Sequence, residues 1–450
     1  MKGYDVVVIG AGPGGYVSAI RAAQLGKSVA IVEKEKIGGA CLNVGCIPSK
    51  TLLKHSEMIQ DIQKANSWGI QTGELSIDFP KLMKRKDQVV RTLTQGVDYL
   101  LKKNKVTLFH GTASVNQELL VTVGDEQIKG LDILLATGSK PFVPSIKGLN
   151  QVDYLTTDSF FDLKEIPKSL VIIGGGIISI ELAFATAPLG TKVTVVEVAD
   201  DILLTEDPDA RNIIKANLKR LNVCVFTKAV ISEVKQNKVI LDDQELFYDR
   251  LLVATGRTPN LEIAKELGLE LDEKNKFVKV NDVYQTSREH VYAVGDLIGG
   301  YQLAHAASAE GIIAVRAMNG ENPRSLDQTV IPRCVYTHPE IASFGLSEVQ
   351  AREAGYDVSV TTSPLSANGK ALAMGETEGF VKVISDNHYQ EIIGAVIVGT
   401  NATELLGELL GVKHSEGTMH ELAGLIQAHP TVSEAIGESA NMIFSQAIHV

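Results

Sequence analysis

One pattern occurs twice in this chain, and it restricts the fold more than any other feature. Residues 4 to 15, YDVVVIGAGPGG, read as an apolar strand that runs into Gly10, Gly12, Gly14 and Gly15. Apolar or small residues follow at helical spacing, at Val17, Ala19, Ile20, Ala23 and Leu25. A second apolar strand, 28 to 32, ends in Glu33. Strand, glycine turn, helix, strand and acid together make a dinucleotide-binding unit. The glycines let the backbone approach a pyrophosphate at a helix N-terminus, and the acid accepts a hydrogen bond from a ribose hydroxyl.

The second copy begins at LVIIGGGIIS, residues 170 to 179. Gly174 and Gly176 take the first two glycine positions and Ser179 takes the third. The strand 192 to 196 follows and ends in Glu197. In both copies the acid lies 23 residues after the first glycine. Pro188, late in the second helix, is expected to bend or end it. LDILLATGSK at 131 to 140 is similar to YDRLLVATGR at 248 to 257. Each reads as the strand returning to its own nucleotide unit, followed by a Thr-Gly turn near the ligand. Two such units predict two bound dinucleotides, or one cofactor and one dinucleotide substrate.

At 450 residues the chain exceeds one hydrophobic core, and about three domains are expected. No apolar run approaches the roughly 18 residues needed to cross a bilayer. The first strand starts almost at Met1, so no signal or transit peptide is expected, and a cytoplasmic location follows. The 43 basic and 54 acidic residues leave a net charge of −11. That balance disfavours nucleic acid and anionic membrane as partners and suits a soluble surface. Four cysteines in a chain this long fit a reducing compartment.

Two of those cysteines lie in GGACLNVGCIPSK, residues 38 to 50. Cys41 and Cys46 form a redox couple, half of a metal site, or a pair of buried hydrophobes. A four-cysteine zinc site would need Cys224 and Cys334 from scattered places, so no metal is expected. Lys50 places a cation beside the pair, which lowers a thiol pKa. Cys224 and Cys334 alternate with apolar residues and read as buried strand positions. His338, before Pro339, reads as structural.

Near the C-terminus, His429 stands in HPTVSE with Glu434 five residues on. A thiol substrate needs a base, and an imidazole titrates in the useful range. Glu434 would orient the ring. Thr431 to Glu434 also spells a helix capping box, and the two roles can coexist. Glu181, placed in the first turn of the second nucleotide helix, reads as a charge favoured by the helix N-terminus. In VVEVADDIL, residues 195 to 203, a ribose 2′-phosphate would meet Glu197, Asp200 and Asp201 with no arginine or lysine nearby in sequence. NAD is therefore expected over NADP.

Taken together, these segments resemble the class I pyridine nucleotide–disulfide oxidoreductases from end to end. Within them they are most similar to the branch that oxidises protein-bound dihydrolipoamide with NAD. GGACLNVGCIPSK looks like the redox segment, with Ala40 where threonine is usual. VYAVGDLIGG at 291 to 300 and YQLAHAASAEG at 301 to 311 look like flavin-contacting stretches. IPRCVYTHPEIASFGLSE at 331 to 348 looks like the start of the dimerisation domain, and LSANGKALAMGETEGFVKVISD at 365 to 386 matches its centre. QAHPTVSEAIGE at 427 to 438 matches its catalytic end.

The resemblance implies an α/β fold with two Rossmann-like dinucleotide-binding domains and a C-terminal α+β interface domain. It implies an FAD domain at 1–142, an NAD domain at 143–262, a central domain completing the FAD site at 263–335, and an interface domain at 336–450. A dithiol does not hand a hydride to nicotinamide easily, and a flavin between the two mediates. Cys41 would be the interchange thiol and Cys46 the thiol beside the flavin, with Lys50 pairing Glu181 near the flavin ring. FAD would meet Gly10, Gly12, Gly14, Gly15, Glu33, Lys50, Ala113, Thr137, Gly138, Asp296 and Ala304. NAD would meet Gly174, Gly176, Ile177, Glu197, Val230 and Gly256. His429, supported by Glu434, would reach the disulfide of a second copy, so a homodimer is implied.

The implied substrate is a lipoyl group on an acyltransferase or an H-protein, and the implied role is the E3-type component of a 2-oxoacid dehydrogenase or glycine cleavage complex. A related reductase for another thiol and a non-catalytic subunit keeping the fold are the alternatives. The cysteine pair, Lys50, His429 and Glu434 argue against the non-catalytic one. Ser179, Pro188 and Ala306 (where the family often has lysine) are departures. No lipoyl domain is expected ahead of Met1, so the lipoyl group is expected from a partner, and the lack of a cysteine pair at Val450 reads against mercuric reductase.

Overall fold

Val6 to Ile9 and Val29 to Val32 are continuous apolar runs, which suit strands covered on both faces. The computed structural model describes residues 2–242 and 244–450 and places both runs at the centre of a parallel sheet. The chain divides into two units, one of residues 1–52, 76–166 and 251–326, the other of residues 53–75, 167–250 and 327–450.

In the first unit, the strands Thr107–His110, Val29–Glu33, Lys2–Ile9 and Glu126–Leu135 lie side by side and parallel. The strand Leu120–Val123 adds antiparallel to Glu126–Leu135, and Ala113–Val115 pairs with it in turn. Val291–Ala293 pairs in parallel with the inner end of Glu126–Leu135. Leu261, Ile263, Leu267, Val278, Val291 and Leu297 share one core with Val7, Ile9 and Val32. Each such fully buried aliphatic side chain contributes about 1.5–3 kcal/mol. The strand Arg250–Val253 pairs in parallel with Leu155–Thr156.

In the second unit, Ser169–Ile173, Lys192–Val196 and Cys224–Phe226 form parallel neighbours. The helix Ile177–Thr186 stops two residues before Pro188, and a short 3₁₀ turn, Ala187–Leu189, carries the proline. The proline therefore ends the helix, since it can neither donate the backbone hydrogen bond nor fit its ring inside the last turn. Ser179 is fully buried, as a close helix–strand contact requires. The C-terminal part is a five-stranded antiparallel sheet ordered Arg333–Val335, Glu340–Gly345, Ile392–Gly399, Phe380–Asp386, Val358–Pro364. The helices Ala402–His414 and Glu434–Ile443 bury Leu406, Leu409, Ala435 and Ile436 in its core.

Two expectations fail here. Cys224 is exposed, because Cys224–Phe226 is the edge strand of its sheet and this side chain points away from the core. Cys334 is partly buried against the C-terminal core, as expected in kind. Glu181 is the fifth residue of its helix, one turn further in than expected, and its buried carboxylate accepts the backbone N–H of Tyr336 at 3.0 Å. A helix-terminal charge effect does not explain it.

Candidate active site

The redox segment depends on two consecutive left-handed glycines. Gly38 and Gly39 have φ of 91° and 57°, and a Cβ on Gly39 would come within 2.7 Å of the Gly12 Cα. Only glycine lets this segment press against the first nucleotide turn. The chain then enters a short helix, Gly39–Val44, which carries Cys41. Asn43 ties it down by donating to the carbonyls of Ile37 and Gly39 at 3.0 and 2.9 Å. After Gly45 the long helix Cys46–Ala65 begins with Cys46 itself.

Both cysteines are half-buried thiols. Cys41 is hydrogen-bonded to the Cys46 side chain, and that bond, with burial, pushes the Cys41 thiol well above its ordinary range. The Lys50 charge acts in the opposite direction. Cys46 stands at a helix N-terminus with Lys50 four residues on, and both features favour negative charge there.

The two nucleotide turns have the shape a pyrophosphate needs. A Cβ on Gly10 would lie 2.2 Å from the Ala136 carbonyl oxygen, and one on Gly15 would lie 1.9 Å from the Gly10 carbonyl oxygen. In the second copy Gly176 meets nothing within 4 Å, so its backbone faces open space at the start of the helix. The acids behave alike. Glu33 accepts from the backbone N–H of Ala11 and of Glu35, at 2.7 and 2.8 Å. Glu197 accepts from Gly175 and, at 2.7 Å, from Ala199. Each acid thus holds its own glycine turn in place at the strand end where a ribose would lie.

Sequence distance hid two cations near the second acid. Arg211 and Lys215 reach back from the helix Pro208–Arg220 to Asp201 at 3.1 and 3.0 Å. The expectation of no nearby cation is therefore corrected. Asp201 offsets one of these two positive charges, and Glu197 and Asp200 are the carboxylates left to oppose a 2′-phosphate.

Around Asp296 the first unit gathers polar groups that spacing alone did not reveal. Burial raises the Asp296 pKa, while the Ser139 hydroxyl and the Arg257 charge lower it. Glu310 accepts the Gly295 N–H at 2.8 Å, and burial raises its pKa too. Gln302, two residues before Ala304, has a buried side-chain nitrogen without a hydrogen-bond partner among the described residues. An unmet donor here, a half-buried carboxylate and the first glycine turn of the same unit fit an FAD, whose ribityl chain and ring edge supply such partners. Thr137 and Asn260 lock the first Thr-Gly turn, with Thr137 donating to the Asn260 carbonyl and Asn260 to that of Thr137. Gly138 and Gly256 both have positive φ and open space where a side chain would be. Ala113 lies on an outer strand of this unit, and Val230 is exposed before the strand Ile231–Lys235.

At the C-terminal site His429 Nδ1 lies 2.9 Å from Glu434 Oε1, and 80% of the histidine side chain is exposed. Glu434 Oε2 accepts the Thr431 N–H at 2.8 Å. That backbone bond and the His429 partner lower the Glu434 pKa. The capping box forms only on the glutamate side. The Thr431 hydroxyl donates to the Ala428 carbonyl instead, and the helix Glu434–Ile443 starts two residues later than a full box would set it. His338 bonds Glu376 at 3.2 Å, which fits a structural role.

Comparison with known proteins agrees with this geometry. Residues 4–311 match the family described as pyridine nucleotide-disulphide oxidoreductase, and residues 331–440 match its dimerisation domain. The chain belongs to the pyridine nucleotide-disulphide oxidoreductase family. The cofactors of this family member are FAD and NAD. A dihydrolipoyl dehydrogenase of Bacillus subtilis is 39% identical over 99% of both chains. One from Geobacillus stearothermophilus is 40% identical, covering 99% of this chain and 97% of the relative. Among solved structures, the HOCl-induced flavoprotein disulfide reductase RclA from Escherichia coli has a TM-score of 0.88 at 29% identity, over 98% of this chain and 100% of that one. LpdA from Mycobacterium tuberculosis has a TM-score of 0.89 at 25% identity with the same coverage. Fold class and family thus stand as expected. Among the described residues no helix is long and apolar enough to cross a membrane.

Proposed function

We infer that this chain is an NAD-dependent dihydrolipoyl dehydrogenase that works through Cys41 and Cys46. The observation that carries the reading is the Cys41–Cys46 hydrogen bond beside Lys50, held against the first nucleotide turn by Gly38 and Gly39. In the oxidised enzyme the two sulfurs are joined. A dihydrolipoamide thiolate attacks Cys41 sulfur, the Cys41–Cys46 bond breaks, and Cys46 leaves as thiolate. The second substrate thiol attacks the mixed disulfide, closes the lipoamide ring and releases Cys41 as a thiol. His429 takes up the proton that the substrate thiol loses, and Glu434 holds the ring and stabilises its cation. FAD, held by the first glycine turn and Asp296, would supply the two-electron relay between the dithiol and NAD, giving NADH.

The same reading assigns FAD to Gly10, Gly12, Gly14, Gly15, Glu33, Lys50, Ala113, Thr137, Gly138, Asp296 and Ala304. It assigns NAD to Gly174, Gly176, Ile177, Glu197, Val230 and Gly256, and it pairs Lys50 with Glu181 near the flavin ring. The working domains are 1–142, 143–262, 263–335 and 336–450. The active site needs His429 of a second copy, and the matched dimerisation domain and the exposure of this histidine support a homodimer. The substrate is a lipoyl group on an acyltransferase or H-protein partner, and the location is cytoplasmic. Purified yellow holoenzyme given dihydrolipoamide and NAD should form NADH. No NADH with dihydrolipoamide, but turnover with another thiol, would replace the substrate assignment.

A further inference from the structure

The two similar segments ATGS and ATGR do more than repeat each other. The strands that follow their glycines, Ser139–Pro141 and Arg257–Pro259, pair antiparallel with each other. This brings the residues after the two glycines, Ser139 and Arg257, into direct contact. Arg257 Nε donates to the Ser139 hydroxyl oxygen at 2.7 Å, and Nη2 donates to the Ser139 carbonyl at 2.8 Å. Ser139 in turn donates its hydroxyl proton to Asp296. The far side of the guanidinium is held by Asp158 at 2.9 Å and by the Thr157 hydroxyl at 3.3 Å. Only 18% of the arginine side chain is exposed.

A serine hydroxyl can donate or accept, and its direction is set by its strongest neighbours. Arg257 has only donors, so it obliges Ser139 to accept from it and to turn its proton toward Asp296. We propose that Arg257 is a positioning residue for FAD: acting through Ser139, it holds the Asp296 carboxylate in place as acceptor for a flavin side-chain hydroxyl. The proposal rests on the assignment of Asp296 to the FAD site. One copy of the duplicated turn thereby braces the cofactor site of the other, because the equivalent position diverged to serine in one and arginine in the other.

The charged groups facing Asp296 are Arg257, from the strand Arg257–Pro259, and Glu310, from the helix Ala304–Met318. Burial and Glu310 oppose charge on Asp296, and Arg257 favours it. Losing Arg257 therefore moves Asp296 toward protonation. A protonated Asp296 has one fewer acceptor to offer the flavin.

The test is FAD affinity of the deflavinated protein, measured by flavin fluorescence quenching across pH 5.5 to 9, for Arg257→Gln, Arg257→Lys, Ser139→Ala and Asp296→Asn. Arg257→Gln should raise the FAD Kd about tenfold or more, with the loss greater at acid pH. Lysine should restore part of the affinity, since it keeps the charge without the fork. Ser139→Ala, which leaves the Arg257–Asp158 pair intact, should weaken FAD in the same direction and serves if Arg257→Gln does not fold. If Asp296→Asn weakens FAD while Ser139→Ala and folded Arg257 variants bind with wild-type Kd and pH profile, the positioning role is wrong. If Asp296→Asn also binds as wild type, the assignment of Asp296 itself fails.

Discussion

One glutamate serves two masters at the C-terminal site: Glu434 holds His429 Nδ1 through one carboxylate oxygen at 2.9 Å and the Thr431 N–H through the other at 2.8 Å. The local helix entry and the imidazole orientation are therefore set by the same side chain. Glu434→Gln keeps an acceptor for one of the two partners but loses the charge. It should lower kcat for dihydrolipoamide oxidation about 10-fold or more, with a smaller effect on Tm. His429→Ala should cost on the order of 10²–10⁴ in kcat. Steady-state kinetics with circular dichroism separates the two effects, and wild-type kcat in His429→Ala would remove the histidine from the mechanism.

Cys41→Ser and Cys46→Ser should each abolish dihydrolipoamide oxidation while the protein still binds FAD. The glycine turn to which FAD is assigned does not depend on either sulfur. Flavin content per chain and NADH formation are the two readouts. Wild-type turnover in either variant would overturn the disulfide mechanism.

NAD should be preferred over NADP by about 10²-fold in kcat/KM. The structure narrows the cause. Arg211 and Lys215 together outweigh Asp201 by one positive charge, so the expected repulsion rests on Glu197 with Asp200. Asp200→Ala should relax the preference only slightly. Glu197→Gln should relax it more and also loosen the Gly175 turn that Glu197 holds. Equal kcat/KM for the two cofactors in the wild type would contradict the assignment.

His338, Glu376 and Lys64 form a cluster within the second unit, with Glu376 bonded to His338 at 3.2 Å and to Lys64 at 2.9 Å. The His338 bond, with that of Lys64, draws the Glu376 pKa down to about 2, and Glu376 raises that of His338. A raised histidine stabilises fully below its unfolded pKa, and that stability is lost as pH rises through the folded value. A lowered glutamate stabilises above its unfolded pKa, and that stability is lost as pH falls toward 2. The pair therefore contributes most between about pH 4.5 and 6.5. His338→Gln should lower Tm by on the order of 2 °C near pH 6 and by less at pH 8.5. Thermal unfolding at the two pH values checks this, and an equal shift at both would dissociate His338 from Glu376.

Activity should require two copies of the chain. Mixing inactive Cys41→Ser and inactive His429→Ala subunits yields heterodimers in which one site is intact and the other carries both lesions. After subunit exchange, activity should return to about half the wild-type value per heterodimer if the sites are independent. Demonstrated exchange without recovered activity would place the histidine's action within its own chain.

The sequence by itself determined the parts of this protein whose physics is local. A glycine turn after an apolar strand with an acid at the next strand end, two thiols five residues apart, and a proline that must end its helix are each written within a stretch of about 30 residues or fewer, and the structure forms each as a local feature. What it could not disclose is which distant side chains neutralise or orient those parts. Arg211 and Lys215 reach Asp201 across a helix. Ser139 and Arg257, 118 residues apart, meet only because two turns pair as strands. Cys224 looked buried by alternation and is exposed, because whether a strand is central or at the edge depends on its neighbours and not on its own pattern. The Thr431 hydroxyl, which the capping pattern directed to the helix, is claimed by the Ala428 carbonyl. Periodicity and spacing encode what a segment does to itself, whereas charge, burial and hydrogen-bond partnership are settled by whatever the completed fold brings alongside.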